Sequence, residues 1–393
     1  MPDVVVVGGG VVGSYLAGRL AGLGLKVTVI DLKAEIGGPV CCTGLISQEC
    51  VSSFGISNDV ILKRFNSARV FSPAGKLIEL RRRETQACVV DRGALDLEMV
   101  RKAQSNGAEY SVASSVKDVE IKNDGAVLTA SCESTVRNIK AEVIVDASGF
   151  GSGIGEKLGV GKTVDFVAGA QAVVETDGSD EIEIYLGRKV APGFFGWLVP
   201  TSPRRALVGL LSRRNTRGYL RDLLSSLAAA GKIKSAQADI AIRGIPLQPL
   251  PRTYGKRFIV VGSAAGQVKP LTGGGIYYGL LCADIAAGIL HSAFEEQDFS
   301  AGYLSIYERE WRRKLGREIK RSYWARRVFE RLGDRQMEKI LEIIRNAGIV
   351  DLLLQRPDVT FDWHGDVAMK IMKEKAIAGI LTLVRSPFSM GKN

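Results

Sequence analysis

The amino-acid sequence predicts an α/β protein in which a parallel sheet is assembled from separated segments, with an antiparallel sheet inserted between them. Three observations predict this fold. Short β-branched runs at Val4–Val7 and Phe258–Val261 are each followed by a glycine-rich turn and a helix-like stretch, which is typical of buried parallel strands. Ala168–Leu186 and Trp197–Leu211 carry the polar/apolar alternation of antiparallel strands. From Phe299 onward, apolar residues recur at helical spacing.

The first glycine-rich turn has the spacing of a dinucleotide-binding motif. Gly8, Gly10 and Gly13 follow the first predicted strand and open a helix. The first glycine permits a tight turn, the second lets the backbone approach a pyrophosphate, and the third brings the helix close to the sheet. The next strand, Val27–Ile30, ends at Asp31, whose carboxylate is placed to accept hydrogen bonds from ribose hydroxyls. This unit therefore predicts a Rossmann-type domain that binds a dinucleotide.

The later glycine-rich turns favour FAD over NAD as that dinucleotide. Asp146 and Gly149 follow one apolar strand, and Gly262–Gly266 follows another. Gly273–Gly275 precedes a helix predicted from Ile276, so its N–H groups form a nest that favours negative charge, such as that of a reduced flavin. Turns so far apart in the chain suit a long cofactor that lies between them. The sequence therefore predicts FAD.

The order of these patterns along the chain predicts three domains. Residues 1–165 and 250–295 are expected to form a discontinuous FAD-binding domain, and residues 166–249 an inserted β-rich substrate domain. The segment 60–90 is a candidate contributor to the substrate domain. Residues 296–393 are expected to form a helical C-terminal domain. The predicted fold is thus a Rossmann-type FAD-binding domain with an inserted antiparallel sheet and a helical C-terminal region. An apolar stripe opens the helical region at Leu304, Tyr307, Trp311, Leu315 and Ile319.

Composition excludes several classes of protein. The 393 residues are 46% hydrophobic and 24% charged, as in an ordinary globular protein of two or three domains. The six cysteines include no Cys-x-x-Cys pair and there are two histidines, so the sequence predicts no metal site. No apolar run of spanning length and no signal peptide are recognised. The protein is therefore expected in the cytoplasm, with the cytoplasmic membrane face as a peripheral location.

The net charge of +11 is concentrated in one segment. Arg309–Arg331 contains ten Lys/Arg residues against three Glu, with aromatic residues interleaved. A solvated helix face is the simplest interpretation, and an anionic membrane surface is the second. Nucleic acid fits poorly with a cofactor-binding core, so no nucleic-acid partner is predicted.

Four stretches of the sequence carry a likeness to a known family. They are Gly8–Asp31, Val90–Asp96, Pro192–Pro200 and Val268–Gly279. The second is similar to an Arg-x-x-x-Asp helix start, the third to a Pro-x-x-Tyr-x-Trp-x-Phe-Pro pattern, and the fourth is the most specific of the set. Together they resemble the geranylgeranyl reductase family, within the flavoproteins similar to para-hydroxybenzoate hydroxylase.

The resemblance implies an FAD-dependent reductase that saturates the C=C bonds of geranylgeranyl chains. Precursors of archaeal-type membrane lipids are the implied isoprenoid substrate, with prenyl diphosphates and chlorophyll-type molecules as alternatives. The implied electron donor is external, of the reduced ferredoxin, deazaflavin or NAD(P)H type, and the lack of a second Gly-x-Gly-x-x-Gly unit favours a carrier other than a nicotinamide. Two positions depart from the family pattern: Ser263 replaces an Asp, and Phe195 replaces a Tyr.

The reaction that the resemblance implies sets requirements for the site. An unactivated alkene accepts a hydride only with a proton or a developing cation, so an acid and aromatic faces are needed. Cys41 and Cys42 lie in a loop similar to a cysteine loop of the family and are the candidate catalytic residues, with Cys42 favoured. The predicted substrate-binding residues are Phe195, Trp197, Pro200, Tyr277 and Tyr278. The predicted cofactor-binding residues are Gly8, Gly10, Val12, Gly13, Asp31, Leu32, Gly44, Arg92, Asp146, Gly149, Ser263, Gly266, Gly273, Gly274, Gly275 and Ile276.

Two other functions share this predicted fold. One is an FAD-dependent monooxygenase that acts on an aromatic substrate and consumes oxygen. The other is a membrane-associated flavoprotein without a catalytic role. Purely structural roles are the alternatives for the candidate site residues. The cysteines would then be small apolar residues, and the aromatic stretch would be part of the hydrophobic core.

Overall fold

The computed structural model describes residues 1–38, 40–132, 135–178, 180–356 and 359–382. Its strands are β1 (Val4–Val7), β2 (Val27–Ile30), β3 (Leu45–Ser47), β4 (Ile61–Phe65), β5 (Ser67–Phe71), β6 (Leu77–Arg81), β7 (Ala87–Val90), β8 (Glu109–Ser111), β9 (Ser114–Ile121), β10 (Ala126–Cys132), β11 (Thr135–Ala141), β12 (Val143–Asp146), β13 (Phe166–Glu175), β14 (Ile182–Leu186), β15 (Phe195–Ser202), β16 (Arg205–Ser212), β17 (Ala241–Pro246), β18 (Tyr254–Gly255) and β19 (Phe258–Val260). Its helices are α1 (Val11–Gly22), α2 (Gln48–Ser53), α3 (Arg92–Ser105), α4 (Ile154–Lys157), α5 (Thr216–Ala229), α6 (Ile276–Glu295), α7 (Ala301–Trp311), α8 (Arg317–Phe329), α9 (Asp334–Asn346), α10 (Ile349–Leu354), α11 (Gly365–Lys373) and α12 (Lys375–Thr382).

The predicted parallel sheet is confirmed, with the strand order β18–β19–β12–β1–β2–β8. Strand β18 runs antiparallel to β19, and the other pairs run parallel. Strand β1 is buried on both faces: Val4 and Val6 pack against α1, α3 and α6, whereas Val5 and Val7 pack against the antiparallel meander β9–β11. Continuous β-branched residues suit such a strand, because both of its faces meet apolar neighbours.

The second large sheet has the order β17–β13–β16–β15–β14–β5–β6. One face carries α5, whose residues Leu220 and Leu224 are fully buried. The small sheet β3–β7–β4 packs on the other face, where Phe65 and Val89 contact Val199. The segment 60–90 therefore divides: β5 and β6 extend the large antiparallel sheet, whereas β4 and β7 belong to the small sheet.

The C-terminal region is helical over its described residues. Helices α7 and α8 are joined by a π-helical segment, Arg312–Gly316. The predicted apolar stripe along these helices is confirmed, because its members are buried: Leu304, Tyr307, Trp311, Leu315 and Ile319. Residues 383–393, the end of the expected helical domain, lie outside the described residues.

Helix α6 corrects one expectation about apolar runs. Among the described residues it is long and apolar enough, by length and composition, to cross a membrane, which was not expected from the sequence. Within the molecule, 61% of its most apolar window is buried. Its buried residues join those of β1 and α1 in the core of the first domain.

Candidate functional site

The first glycine-rich turn has the geometry that its motif predicts. Gly8 has a φ of 106°, and a Cβ at this position would lie 2.5 Å from the carbonyl oxygen of Ala147. A Cβ at Gly13 would lie 1.9 Å from the Gly8 oxygen. A Cβ at Gly10, by contrast, would meet nothing within 4 Å. The turn is therefore closed on the protein side and open at Gly10, where the start of α1 offers unpaired N–H groups.

Asp31 lies at the rim of this turn, at the end of β2. Its carboxylate accepts hydrogen bonds from the backbone N–H of Gly9 at 2.6 Å and of Lys33 at 2.8 Å. The side chain is half-buried, and the neighbouring Leu32 is 72% exposed. Asp31 therefore holds the turn in shape and keeps acceptor capacity toward solvent.

A buried ion pair fixes the start of α1 from the side. Asp91 caps α3 by accepting from Ala94 N–H, and Arg92 pairs with Asp96 at 2.8 Å. Asp96 also accepts a hydrogen bond from the N–H of Val11 at 3.1 Å. Sequence reasoning quoted the Arg-x-x-x-Asp pattern but missed this role of Asp96. The i, i+4 spacing of opposite charges was the available signal.

The two adjacent thiols face different groups. The Gly44 N–H donates to Cys42 Sγ at 3.4 Å. Burial lowers the pKa of the Arg92 guanidinium, but Cys42 and Asp96 beside it outweigh burial and raise the pKa above its ordinary value. Burial raises the pKa of the Cys41 thiol, and the neighbouring Cys42 raises it further. The guanidinium of Arg243, on β17, lowers it. Cys42 therefore lies beside Arg92 of the first domain, whereas Cys41 lies within electrostatic range of Arg243 on β17.

Strand β12 of the parallel sheet ends in a buried acid, Asp146. Asp146 is 1% exposed and accepts hydrogen bonds from the backbone and hydroxyl of Ser148. Burial raises the pKa of Asp146 to about 6, against the effect of these hydrogen bonds. Gly149 follows with a φ of 83°, and a Cβ there would meet nothing within 4 Å. This turn is thus open at its glycine, as the first turn is at Gly10.

The third turn, after β19, is tightly packed against the protein. A Cβ at Gly266 would lie 2.3 Å from the Gln248 oxygen. Gly262 N–H donates to the buried Gln267 side chain at 2.7 Å. Ser263, which stands where the wider flavoprotein group has an Asp, is half-buried, and its Oγ lies 3.2 Å from a Cβ built on Gly275. Its hydroxyl therefore lies beside the run of three glycines, Gly273–Gly275.

Val12 joins the first turn to the third. A Cβ on Gly262 would lie 3.2 Å from Val12 Cγ1, and a Cβ on Gly279 of α6 would lie 2.6 Å from Val12 Cγ2. Any side chain at Gly279 would therefore push α1 away from α6. The two glycine-rich turns that are far apart in the sequence are thus neighbours in the structure.

Residues 269–275, called the glycine loop, lead into α6. The loop is closed by hydrogen bonds from Lys269 N–H to Gly274 O at 2.9 Å and from Gly273 N–H to Lys269 O at 2.8 Å. Lys269 Nζ is buried and pairs with Asp362 Oδ1 at 2.5 Å. Ile276 is the first residue of α6, so the loop stands at a helix N-terminus. Sequence reasoning missed Asp362, which comes from the C-terminal region.

An aromatic surface of the antiparallel sheet faces the cysteines. Trp197 and Gln171 flank Gly209 in the sheet register, and a Cβ on Gly209 would lie 2.4 Å from Trp197 Cζ2. Phe195 lies on the same side, with its ring centroid 6.0 Å from that of Trp197. The Thr43 hydroxyl donates to Gln171 Oε1 at 2.8 Å, so the cysteine loop lies over this surface, called the aromatic face.

The glycine loop contacts the same sheet. A Cβ on Gly273 would lie 3.3 Å from Ile245 of β17 and 3.6 Å from Leu211 of β16. The sheet register puts Ile245 on the side of Gly169 and Gln171. The aromatic face, the cysteine loop and the glycine loop therefore converge.

Three predicted substrate-binding residues lie elsewhere. Pro200 is an odd number of residues from Trp197 and pairs with Ala206, which packs beneath α5, so it lies on the opposite face of the sheet. Tyr277 and Tyr278 are buried in the core of the first domain. Their hydroxyls donate to Glu49 and to the Asp362 carbonyl, at 2.6 and 3.0 Å. The prediction grouped these three residues with Phe195 and Trp197 by motif alone, and the structure places them apart from those two rings.

The fold and the site together define a class. A parallel sheet with open glycine turns, facing an inserted antiparallel sheet across a helix N-terminus, is the architecture of FAD-dependent oxidoreductases. Comparisons with known proteins agree. The lycopene cyclase protein family model matches residues 3–362. A geranylgeranyl bacteriochlorophyll reductase-like protein from Thermoplasma acidophilum superposes with a TM-score of 0.85 at 24% identity, covering 98% of this chain and 99% of the other. A flavin-dependent brominase superposes at 0.72, with 16% identity and coverage of 95% and 98%.

Curated relatives give the particular family. A digeranylgeranylglycerophospholipid reductase from Methanothermobacter thermautotrophicus is 32% identical over 88% of this chain and 92% of the relative. Another, from Methanocaldococcus jannaschii, is 30% identical over 87% and 90%. The chain belongs to the digeranylgeranylglycerophospholipid reductase family.

The Lys269–Asp362 pair makes a testable contribution to stability. Asp362→Leu alone is expected to lower the free energy of unfolding by about 3–5 kcal/mol, because it leaves a buried ammonium without its counter-ion. The double variant Lys269→Met/Asp362→Leu should recover most of that loss, since it removes both charges. Urea denaturation of the single and double variants measures both effects. Equal destabilisation in the single and the double variant would show that the unpaired Lys269 ammonium is not the source of the loss.

Proposed function

We propose that this protein is an FAD-dependent reductase that saturates the C=C bonds of geranylgeranyl chains in precursors of archaeal-type membrane lipids. The observation that carries the proposal is the convergence of the cysteine loop, the glycine loop and the aromatic face. The relatives named as digeranylgeranylglycerophospholipid reductases support the substrate class. An isoprenoid chain suits the aromatic face, since Phe195 and Trp197 offer apolar ring surfaces.

The residues of the first domain fit FAD. Gly10 and Gly149 leave open space where a pyrophosphate and a ribityl chain would approach the backbone. Asp31 has acceptor capacity for ribose hydroxyls, and the glycine loop offers N–H groups at the start of α6. Ser263, in place of the usual Asp, supplies a hydroxyl beside that loop. When bound and reduced, FAD would supply a hydride equivalent.

The chain itself must supply the proton. Saturation of an alkene places a hydride on one carbon and a proton on the other, with positive charge developing at the more substituted carbon. Ring faces of Phe195 and Trp197 would stabilise that charge. Cys41 is the proposed donor, because its loop is bonded to the antiparallel sheet through Thr43 and its raised pKa keeps the thiol protonated at neutral pH. Sequence reasoning favoured Cys42, but Cys42 contacts Arg92 on the cofactor side.

The electron donor is proposed to be an external carrier, of the reduced ferredoxin, deazaflavin or NAD(P)H type. The Gly8–Gly13 turn, where we place FAD, is the dinucleotide motif recognised in the sequence. An external carrier therefore accounts for flavin reduction without a second nucleotide-binding motif.

A direct test of the function uses the reconstituted holoprotein. After anaerobic reduction by dithionite, addition of digeranylgeranylglycerophospholipid in detergent should reoxidise the flavin, and each equivalent consumed should add two hydrogens to the lipid by mass spectrometry. A preparation that cannot be reconstituted with FAD would end the proposal. Oxygen uptake with a hydroxylated aromatic product would favour a monooxygenase, and no transfer to any prenyl lipid would favour a non-catalytic flavoprotein.

Substitution of Cys41 and substitution of Cys42 should affect different measured properties. Cys41→Ala is expected to slow lipid-dependent flavin reoxidation by about 10²–10⁴-fold, the usual contribution of a positioned acid, with the reduction by dithionite unchanged. In the wild type the rate should be constant through neutral pH and fall only at alkaline pH, because the donor must keep its proton. Cys42→Ala should instead change FAD affinity. Stopped-flow absorbance and FAD titration distinguish the two, and an unchanged Cys41→Ala rate would remove that thiol from the mechanism.

We further propose a peripheral location on the cytoplasmic membrane face. Within Arg309–Arg331 the structure sorts the cations into two groups. Arg312 bonds the Leu250 and Pro251 carbonyls and pairs with Glu308, and Arg326 is buried. The exposed cations are Arg309, Arg313, Lys314, Arg317 and Lys320, and together with the exposed Trp324 they are called the basic face. A basic surface with an exposed indole suits an anionic bilayer that contains the lipid substrate.

Liposome binding tests the basic face. Lys314→Gln/Arg317→Gln/Lys320→Gln should weaken binding to vesicles that contain anionic lipid by on the order of 100-fold, at about 1 kcal/mol for each charge near the surface. The matched control Arg204→Gln/Arg205→Gln/Lys339→Gln removes the same charge from exposed positions elsewhere. Cosedimentation at low and high salt measures both. Equal loss in the two triple variants would assign the effect to net charge alone.

A further inference from the structure

We propose that Arg326 is a positioning residue that sets the distance between the glycine loop and the aromatic face. The proposal rests on the proposed function, since it concerns how that reaction's two surfaces are held together. Arg326 belongs to α8, in the C-terminal region, and lies within the basic segment that the sequence assigns to solvent or to a membrane. Its side chain instead points into the molecule, where the residue is 2% exposed.

Arg326 bridges two loops of the site, residues 192–194 and the glycine loop, with its two terminal nitrogens. Nη1 donates to the Gly193 carbonyl at 2.6 Å, and Nη2 donates to the Leu271 carbonyl at 3.1 Å. Gly193 lies two residues before Phe195, which begins the aromatic strand β15. Leu271 lies in the glycine loop, two residues before Gly273. One guanidinium therefore connects the entry of the aromatic strand to the loop proposed to hold the flavin.

Aromatic rings enclose the guanidinium. Its carbon lies 4.5 Å from the ring centroid of Phe194 and 5.0 Å from that of Phe329. Cation–π contacts with two rings restrict the location of the guanidinium. Gly193 permits the close approach, because its φ is 74° and a Cβ there would lie 3.1 Å from the Cα of Glu330. The contact is therefore rigid on both sides.

A second layer of ion pairs holds α8 in place over this contact. Arg213 bonds both carboxylate oxygens of Glu330 at 3.0 Å and also bonds Asp165 at 2.5 Å. Tyr323 of α8 donates to the other Asp165 oxygen at 2.6 Å. Asp165 immediately precedes β13, where the chain enters the antiparallel sheet. The junction between the two domains is thus fastened by the helix that carries Arg326.

The electrostatics of Arg326 argue against a purely stabilising role. Both of its direct acceptors are neutral carbonyls, and its Nε is buried without a hydrogen-bond partner in the described part of the chain. Burial lowers its pKa to about 10, although Glu330 opposes this. Burying a charge in this manner is costly, and an apolar side chain of similar length often costs less. What an apolar residue cannot supply is the pair of directed bonds to Gly193 and Leu271.

The test compares two variants. Arg326→Met keeps an unbranched side chain of similar length, and Arg326→Lys keeps the charge but loses the two directed terminal nitrogens. Hydrogen–deuterium exchange should rise at least ~10-fold in the segments 192–197 and 269–275 of Arg326→Met, with β1 unchanged. Lipid-dependent flavin reoxidation should slow by about 10–100-fold, as expected for a misplacement of order 1 Å, while reduction by dithionite is retained. Arg326→Lys should lie between Met and the wild type in both measurements.

The control is Arg335→Met, at an exposed position on α9, which should match the wild type in both measurements. Should Arg326→Met fail to fold, Arg326→Lys and Phe329→Leu carry the test. Unchanged exchange in both segments, or raised exchange with an unchanged reoxidation rate, would overturn the proposal. A wild-type holoprotein that transfers nothing to lipid would refute the proposed function instead, and the exchange result would still decide whether Arg326 holds the two loops.

Discussion

Close backbone approach is the constraint on which the site depends. Gly8 must pass within contact of Ala147, and Val12 must sit against Gly262 and Gly279. These contacts bring three strand ends of the parallel sheet and the start of α6 into one small volume. Glycine is needed there for two reasons, positive φ at Gly8 and Gly262 and the absence of a Cβ at Gly279. A dinucleotide can therefore reach several helix and strand ends at once.

Residues of the C-terminal region hold the glycine loop in position. The glycine loop has few side chains with which to anchor itself, so its position must be imposed from outside. Lys269 is held by Asp362 from one side, and the Leu271 carbonyl is held by Arg326 from the other. Trp363 packs against the Tyr278 ring, with centroids 6.1 Å apart. A region that carries no recognisable cofactor motif thereby fixes the geometry of the most specific motif in the chain.

What the sequence could predict follows from the range of the interactions involved. The βαβ unit, the parallel strands and the buried stripe on α7 and α8 arise from local periodicity and spacing, and all are present. Asp362 and Arg326 act on residues 93 and 55 positions away, respectively, and no local pattern distinguishes them from solvent-exposed charges. Pro200 shows a different limit. A motif names its residues together, but strand alternation sends every second one to the other face.

The basic segment shows why net charge is a poor guide to the location of a partner. Its cations are adjacent in sequence, yet helical rotation and a π-helical segment place some of them toward the protein and others toward solvent. Arg312 and Arg326 face the protein, and Lys314 and Arg317 face solvent. A membrane would meet the solvent-facing set alone, while the inward set couples the same helices to the domain junction. The proposed membrane contact and the proposed spacing of the two loops would therefore depend on opposite faces of one structural element.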